Sequence, residues 1–513
     1  MIDGKILAEE LLAYAEAHLS LDPLDKPYLR NRLLATLQID AAAEPTPDTA
    51  WVAGLAVPDE LIAKLRAYAE ENRLCEEGYE AIFSTEVMGL ITPPPSRINA
   101  LYREIAGTRG TDAATAWFYS LCVHNDYIQK TAISRNLEWI YRDGENALEI
   151  TVNLSKPEKS NKEIAKLLSQ PKKKENYPAC MLCGSNEGYR GTLSHPARAN
   201  LRTLSLSMGG EPWFVQYSPY AYYREHCIAV SRSHTPMKVD ATTPDKLLDF
   251  VDAFPAYFIG SNAALPIVGG SILNHEHFQG GGHLLPMQYA PVEKTYQAAS
   301  CPAVSVGRLN WYNSALRLRS RDRAALSDAA VRIILAWQSF DSVPCGIFSH
   351  TGDTPHNTLS PIARRDGNEY VMDMILRNNR TDETYPDGIF HAHPEYHNIK
   401  KEGIGLIEAM GRFILPGRLK TQLAGVEAYL TGEEVYDPAA LADETHSLHV
   451  HAAMIADLVA GYGTALSSGE AAHAVTDRVN RTCAAILDNT AVFKRTEEGL
   501  AEFDRFILSA LAD

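Results

Sequence analysis

Asn274-His275-Glu276-His277-Phe278-Gln279-Gly280-Gly281-Gly282-His283 gathers three histidines, a glutamine and a glycine triplet. Side chains two apart on a strand share a face. An extended 272–279 therefore points His275, His277 and Gln279 one way, and Asn274, Glu276 and Phe278 the other. Imidazole is a nucleophile near neutral pH, and its attack on phosphorus gives a phosphoramidate, splitting one hard phosphoryl transfer into two easier ones. Gln279 can donate a hydrogen bond to a phosphoryl oxygen but cannot act as acid or base. Gly280 to Gly282 predict open backbone where a phosphate could come close. One such histidine would more simply be a satisfied polar residue on a strand; the whole constellation favours a reactive site.

Rival readings of the stretch fail on spacing. A zincin needs His-Glu-x-x-His on a helix, and a cupin-type metal site needs a carboxylate where Gly281 and Gly282 stand. Gly403–Gly411 puts Glu408 where a dinucleotide fingerprint needs glycine, and no P-loop occurs. Cys180-Met181-Leu182-Cys183-Gly184 is a turn in which two thiolates can share a cation. No second C-x-x-C completes a four-cysteine site, so His234 and His275 are the candidate remaining ligands of a closed zinc site beside the reactive strand. Without metal, the two cysteines are reduced thiols at a turn.

The elements that must hold these groups follow from periodicity. Residues 1 to about 168 read as helical, with apolar residues at three- and four-residue spacing in 6–19, 58–72 and 112–132. The polar stretch Ser155–Pro178 reads as a solvated linker or surface helix. From Tyr177 to about Leu430 short strand-like runs alternate with Gly, Pro and Asn turns, and helical periodicity returns afterwards. His-x-His occurs twice on strand-like runs, at His275/His277 and His391/His393, which predicts two similar α+β halves. The expected organisation is α+β: a helical region 1–168, two antiparallel-sheet halves at 169–303 and 304–430, and C-terminal helices at 431–513.

Composition narrows the partners. Lys+Arg 48 against Asp+Glu 64 gives −16, which argues against nucleic acid or an anionic membrane as partner. No apolar run is long enough to span a bilayer, and the N-terminus is amphipathic and acidic, unlike a signal peptide. A cytoplasmic location is expected. Eight cysteines in 513 residues are too sparse for a disulfide framework.

Asn274–Gly281, Tyr177–Thr192, Thr354–Arg364 and His391–Gly411 together resemble the signatures of the galactose-1-phosphate uridylyltransferase family, bacterial class II, in the histidine-triad (HIT-like) superfamily. The resemblance is strong over about 177–420. It implies two HIT-like halves, and uridylyl transfer from UDP-glucose to a hexose 1-phosphate through a uridylylated His277 assisted by Gln279. It implies zinc on Cys180, Cys183, His234 and His275. It also suggests a second metal at Glu293, His391 and His393, with His350 or His356 as third histidine. Asn274, Gly280, Gly281, Arg198, Arg202, Arg364 and Lys400 are the expected substrate contacts. Two departures stand out: Glu276 occupies the family's usual proline position, and the helical N-terminal region has no class I counterpart. A nucleotidyl hydrolase or dinucleoside-polyphosphate phosphorylase on the same scaffold is the alternative activity, and a catalytically silent zinc-stabilised binding protein is the non-enzymatic one. The sequence leaves a homodimer open.

Overall fold

The computed structural model describes residues 2–155, 177–270, 272–297 and 299–512. Helix Gly4–His18 starts on Asp3, whose carboxylate accepts from the amides of Lys5 and Ile6. It buries Leu7, Leu11 and Ala15 against Leu33, Leu61, Leu65 and Val87 of the helices that follow. Two of its carboxylates sink into this packing with partners: Glu9 pairs with Arg30 at 2.7 Å, and Glu10 with Lys64 at 2.7 Å. Helix Thr111–His124 stops short of the predicted 132 because Asp126 turns the chain at φ +62°; one further turn forms at Lys130–Ile133.

A helical reading of all of 1–168 fails at Leu137–Asn153. There β1 (Leu137–Asp143) and β2 (Asn146–Asn153) form an antiparallel hairpin with Gly144 and Glu145 as its loop and Gly144 at φ +60°. Glycine at the first loop position supplies the positive φ that a two-residue hairpin turn requires there. On its other edge β2 pairs in parallel with the distant strand Arg412–Pro416, so the N-terminal region is stitched to the C-terminal part of the chain. Residues 156–176 of the stretch read as a linker lie outside the described residues.

The main sheet has two halves. The first comprises β3 (Leu204–Met208), β4 (Glu211–Tyr217), β5 (Cys227–Ser231), β6 (Phe258–Gly260) and β7 (His277–Gly281). The second comprises β8 (Val292–Tyr296), β9 (Ser305–Leu309), β10 (Ala315–Ser320), β13 (Asn357–Asp366) and β14 (Glu369–Asn378). A small hairpin of β11 (His350–Thr351) and β12 (Thr354–Pro355) stands apart. Across the sheet the order is β3-β4-β5-β7-β6-β13-β14-β10-β9-β8, with every neighbouring pair antiparallel. Each half is a three-strand meander, one helix (Thr243–Ala253 or Arg323–Gln338) and two strands laid down in swapped order. The same chain path thus occurs twice about the β6–β13 seam. The halves share one continuous sheet. The second His-x-His is not part of this duplication: His391 and His393 lie in a loop, and β14, which takes the place of β7 in the second half, carries no histidine. The α+β class and the paired halves hold, but the histidine echo that suggested them was a coincidence of spacing.

One sheet face packs on those two helices, where Leu247, Leu248, Val251, Ile333 and Trp337 meet Phe278, Leu318 and Met372. The opposite face differs between the halves. Over the second half Leu285 and Met287 pack on Ile362 and Ile375. Beneath them Arg317 donates to Asp373 and to the carbonyls of Met287, Gln288 and Ala290. Over β5 and β7 of the first half, the face opens into a cavity of about 1050 Å³. The C-terminal helices Ala452–Tyr462 and Ser468–Thr490 cover β2 and β15 (Arg412–Pro416) with Ile455, Val475, Val479 and Ile486. No helix among the described residues is long and apolar enough to cross a membrane.

Candidate active site

β7 begins only at His277, five residues later than an extended 272–279 would require, because the chain bends at Asn274 and His275. Glu276 points to the helix-covered face. Its carboxylate meets Lys246 at 2.9 Å, both side chains are buried, and the ammonium lies 5.3 Å from the centre of the Trp213 ring. His277 and Gln279 point into the cavity. The His277 Nδ1 lies 2.8 Å from the His275 carbonyl. A carbonyl can only accept, so Nδ1 carries the proton and Nε2 keeps its lone pair. Burial lowers the His277 pKa below the ordinary 6.5, which keeps the ring neutral.

The bend sends His275 towards the cysteine turn. Cys180 Sγ lies 3.2 Å from His275 Nδ1 and 3.5 Å from Cys183 Sγ, and Cys183 Sγ lies 3.1 Å from His234 Nδ1. The four ligand atoms all fall within 4.8 Å of one another. Two soft sulfurs and two imidazoles at such spacings match the edges of a tetrahedron with metal–ligand bonds of about 2.0–2.3 Å. His275 Nε2, 2.8 Å from the Ser231 carbonyl, is the donor that fixes the coordinating tautomer. The turn also packs Leu182 on Phe214 and Val230, so the cluster braces β5 and the entry to β7.

The remaining cavity walls come from far along the chain. His226, at the start of β5, sets its Nε2 3.1 Å from Gln279 Oε1. Lys400 donates to Glu408 at 3.0 Å and to the Ile414 carbonyl at 2.8 Å. Glu408 in turn accepts from the Gly405 amide at 3.2 Å. Asn262 and the backbone at Gly403 and Gly405 complete that side.

Comparison with known proteins assigns the chain. The profile of the galactose-1-phosphate uridyl transferase N-terminal domain matches residues 20–236, and that of the C-terminal domain matches residues 250–451. The galactose-1-phosphate uridylyltransferase of Caldanaerobacter subterraneus subsp. tengcongensis is 41% identical over 517 residues, covering 99% of this chain and 98% of its own. Those of Halalkalibacterium halodurans and Bacillus subtilis are 41% and 40% identical, covering 98% and 97% of this chain and 98% and 96% of their own. The chain belongs to the galactose-1-phosphate uridylyltransferase family. It is a nucleotidyltransferase. A solved DUF4931 family protein from Bacillus cereus aligns with 34% of the chain and 85% of its own at 8% identity, with a TM-score of 0.23.

Against this family background several expected contacts lie elsewhere. Of the four basic candidates only Lys400 lines the cavity. Arg202 is buried and spends its donors on the carbonyls of Gly89, Thr92, Pro93, Ala199 and Leu201, clamping the N-terminal helices to the sheet. Arg364 is held under the segment that fills the second half, 3.5 Å from the Gln288 carbonyl. Arg198 lies over the Tyr127 ring, and Asn274 is exposed at the bend. The glycine triplet is not open backbone. A Cβ on Gly280 would sit 2.1 Å from the Phe258 carbonyl oxygen, and one on Gly281 2.7 Å from that of Glu225. Close strand and turn packing requires these glycines. His283, the third histidine of the stretch, pairs with Glu149 of β2 at 2.9 Å.

The suggested second metal set does not assemble. Glu293 on β8 is paired with Arg308 at 2.7 Å and Arg495 at 2.6 Å. His391 Nε2 accepts from the Ile404 amide, and His393 Nε2 bonds the Ile389 carbonyl. His356 bonds Asn379 and Thr351, and His350 sits exposed on β11. Among the described residues the cysteine–histidine cluster is the one group arranged to hold a metal. The sequence reading missed His226 and Asn262; a lone histidine before a strand carries no local signal of what it will face.

Proposed function

We propose that this protein transfers a uridylyl group from UDP-glucose to galactose 1-phosphate through a covalent intermediate on His277. The observation that carries this reading is the 2.8 Å contact from His277 Nδ1 to the His275 carbonyl, which leaves Nε2 unprotonated at the cavity wall. Nε2 attacks the α-phosphorus of UDP-glucose, the bond from that phosphorus to the bridging oxygen breaks, and glucose 1-phosphate leaves with the electron pair. Gln279 donates to an α-phosphoryl oxygen as charge builds there. A phosphate oxygen of galactose 1-phosphate then attacks the same phosphorus, and His277 departs as neutral imidazole. Lys400, ion-paired with Glu408, also lines this cavity.

Cys180, Cys183, His234 and His275 would hold zinc. A closed site of this kind contributes folding free energy and holds the bend that delivers His277; it takes no part in bond making. A cytoplasmic location and divisions near 168 and 430 go with this reading, with the chain passing from one sheet half to the other between β7 and β8 rather than at 303.

The test is UDP-glucose labelled in its uracil ring, added alone. The expected result is stoichiometric uridylylation with a matching burst of glucose 1-phosphate and ping-pong steady-state kinetics. His277→Ala should lose labelling. Labelling that survives this change, or transfer only through a ternary complex, would overturn the assignment.

A further inference from the structure

We infer that His226 is a positioning residue that fixes which end of the Gln279 amide faces the cavity. The inference rests on the proposed role of Gln279 at the transferred phosphoryl group and goes one step behind it. A carboxamide is nearly symmetric in shape, so its orientation is set by its partner. Turned one way, Gln279 offers the cavity an N–H₂ that can donate to a phosphoryl oxygen. Turned the other way, it offers a carbonyl that repels that oxygen.

His226 can make this choice because it has almost no freedom itself. It is 2% exposed. Its ring stacks on Tyr222 at 5.3 Å and lies 4.7 Å from Tyr223, whose hydroxyl is anchored on the Gly280 carbonyl. Its backbone is held at both ends, its amide on the Tyr223 carbonyl and its carbonyl on the Ser218 amide. Nε2 reaches Gln279 Oε1 at 3.1 Å, while Nδ1 is buried with no partner. A proton on Nδ1 would therefore be a buried donor without an acceptor, a heavier loss than an unpaired lone pair. The proton sits on Nε2, the imidazole donates, and Gln279 must present Oε1 to it and N–H₂ to the cavity. Burial also pushes the His226 pKa down to about 4, so the ring stays in this single-donor form at neutral pH.

The test is a double-mutant cycle read by steady-state uridylyl transfer, which does not depend on the covalent intermediate; UDP-glucose labelling is recorded separately. His226→Phe keeps the stacked shape without the donor. It should lower kcat about 10- to 100-fold, the scale of one misdirected donor at a developing charge, with KM for UDP-glucose changed no more than about 3-fold. His226→Gln, which can donate at the same place, should recover most of that loss. In a Gln279→Ala background His226→Phe should add no more than about 3-fold. Thermal melting reports on folding, and His226→Met replaces His226→Phe if the latter does not fold. An equal loss in both backgrounds, a loss seen only in KM, or wild-type kcat for His226→Phe would overturn the inference. Absent labelling in wild type would instead overturn the covalent mechanism and leave this cycle interpretable.

Discussion

Glu276→Leu separates what the residue before His277 does from what His277 does. Glu276 and Lys246 bury 97% and 98% of their side chains and meet at 2.9 Å. Removing one partner of a buried ion pair costs about 3–5 kcal/mol, because the other charge stays desolvated. Lys246 keeps a second contact, to Glu211 at 3.2 Å, but that carboxylate is 55% exposed and compensates weakly. The expected loss for Glu276→Leu is therefore about 3 kcal/mol, the low end of that range. Lys246→Met should cost about 4 kcal/mol, since no second cation lies within hydrogen-bond reach of Glu276 among the described residues. The double variant joins two apolar side chains beside Trp213 and Phe278, which already stack at 5.0 Å. It should recover about 2–3 kcal/mol relative to the sum of the single losses. Urea denaturation followed by tryptophan fluorescence measures all four proteins. Strictly additive losses, or single losses below about 1 kcal/mol, would mean that this pair behaves as a solvated one and that the reasoning from burial is wrong.

Cys180→Ser should lower zinc content from about one per chain and lower the melting temperature, since closed structural sites contribute folding free energy; elemental analysis finding no metal in active wild type would remove the zinc proposal. Arg202→Met should cost stability, measured by melting, while leaving KM for UDP-glucose unchanged, because its bonds go to carbonyls of the N-terminal helices. Gly280→Ala should destabilise the protein in the same assay, since its Cβ would drive β6 from β7. Burial lowers the His277 pKa, so the acid limb of kcat/KM should fall below pH 6.5; a limb above it would contradict a buried, neutral nucleophile. His226 and His391, both pushed down to about 4 by burial, add stability that is complete above their ordinary 6.5 and is lost as pH falls towards about 4, a trend that melting across pH 4–7 would reveal.

Local spacing carried much of this protein in its sequence. Helical periodicity marked the helices at both ends, because a helix buries one stripe and the stripe is written every three or four residues. The cysteine turn, His234 and His275 could be paired by donor chemistry, and His277 with Gln279 by strand alternation, although the bend at His275 turned that residue to the metal cluster. The β1–β2 hairpin was missed, because a helical reading of 1–168 passed over the turn at Gly144-Glu145 that separates its strands. Other features depended on which segments meet. Arg202, Arg364 and Lys400 are chemically alike as candidates, and only long-range packing left Lys400 beside a void while carbonyls consumed Arg202. The glycine triplet looked like room for a phosphate until β6 and the Tyr223–Glu225 turn occupied that room. The continuous sheet follows from pairing between β6 and β13, about a hundred residues apart, which no local pattern encodes. His226 became a partner of Gln279 only when β5 was laid beside β7, because hydrogen bonding across strands depends on register, and register is a property of the folded sheet.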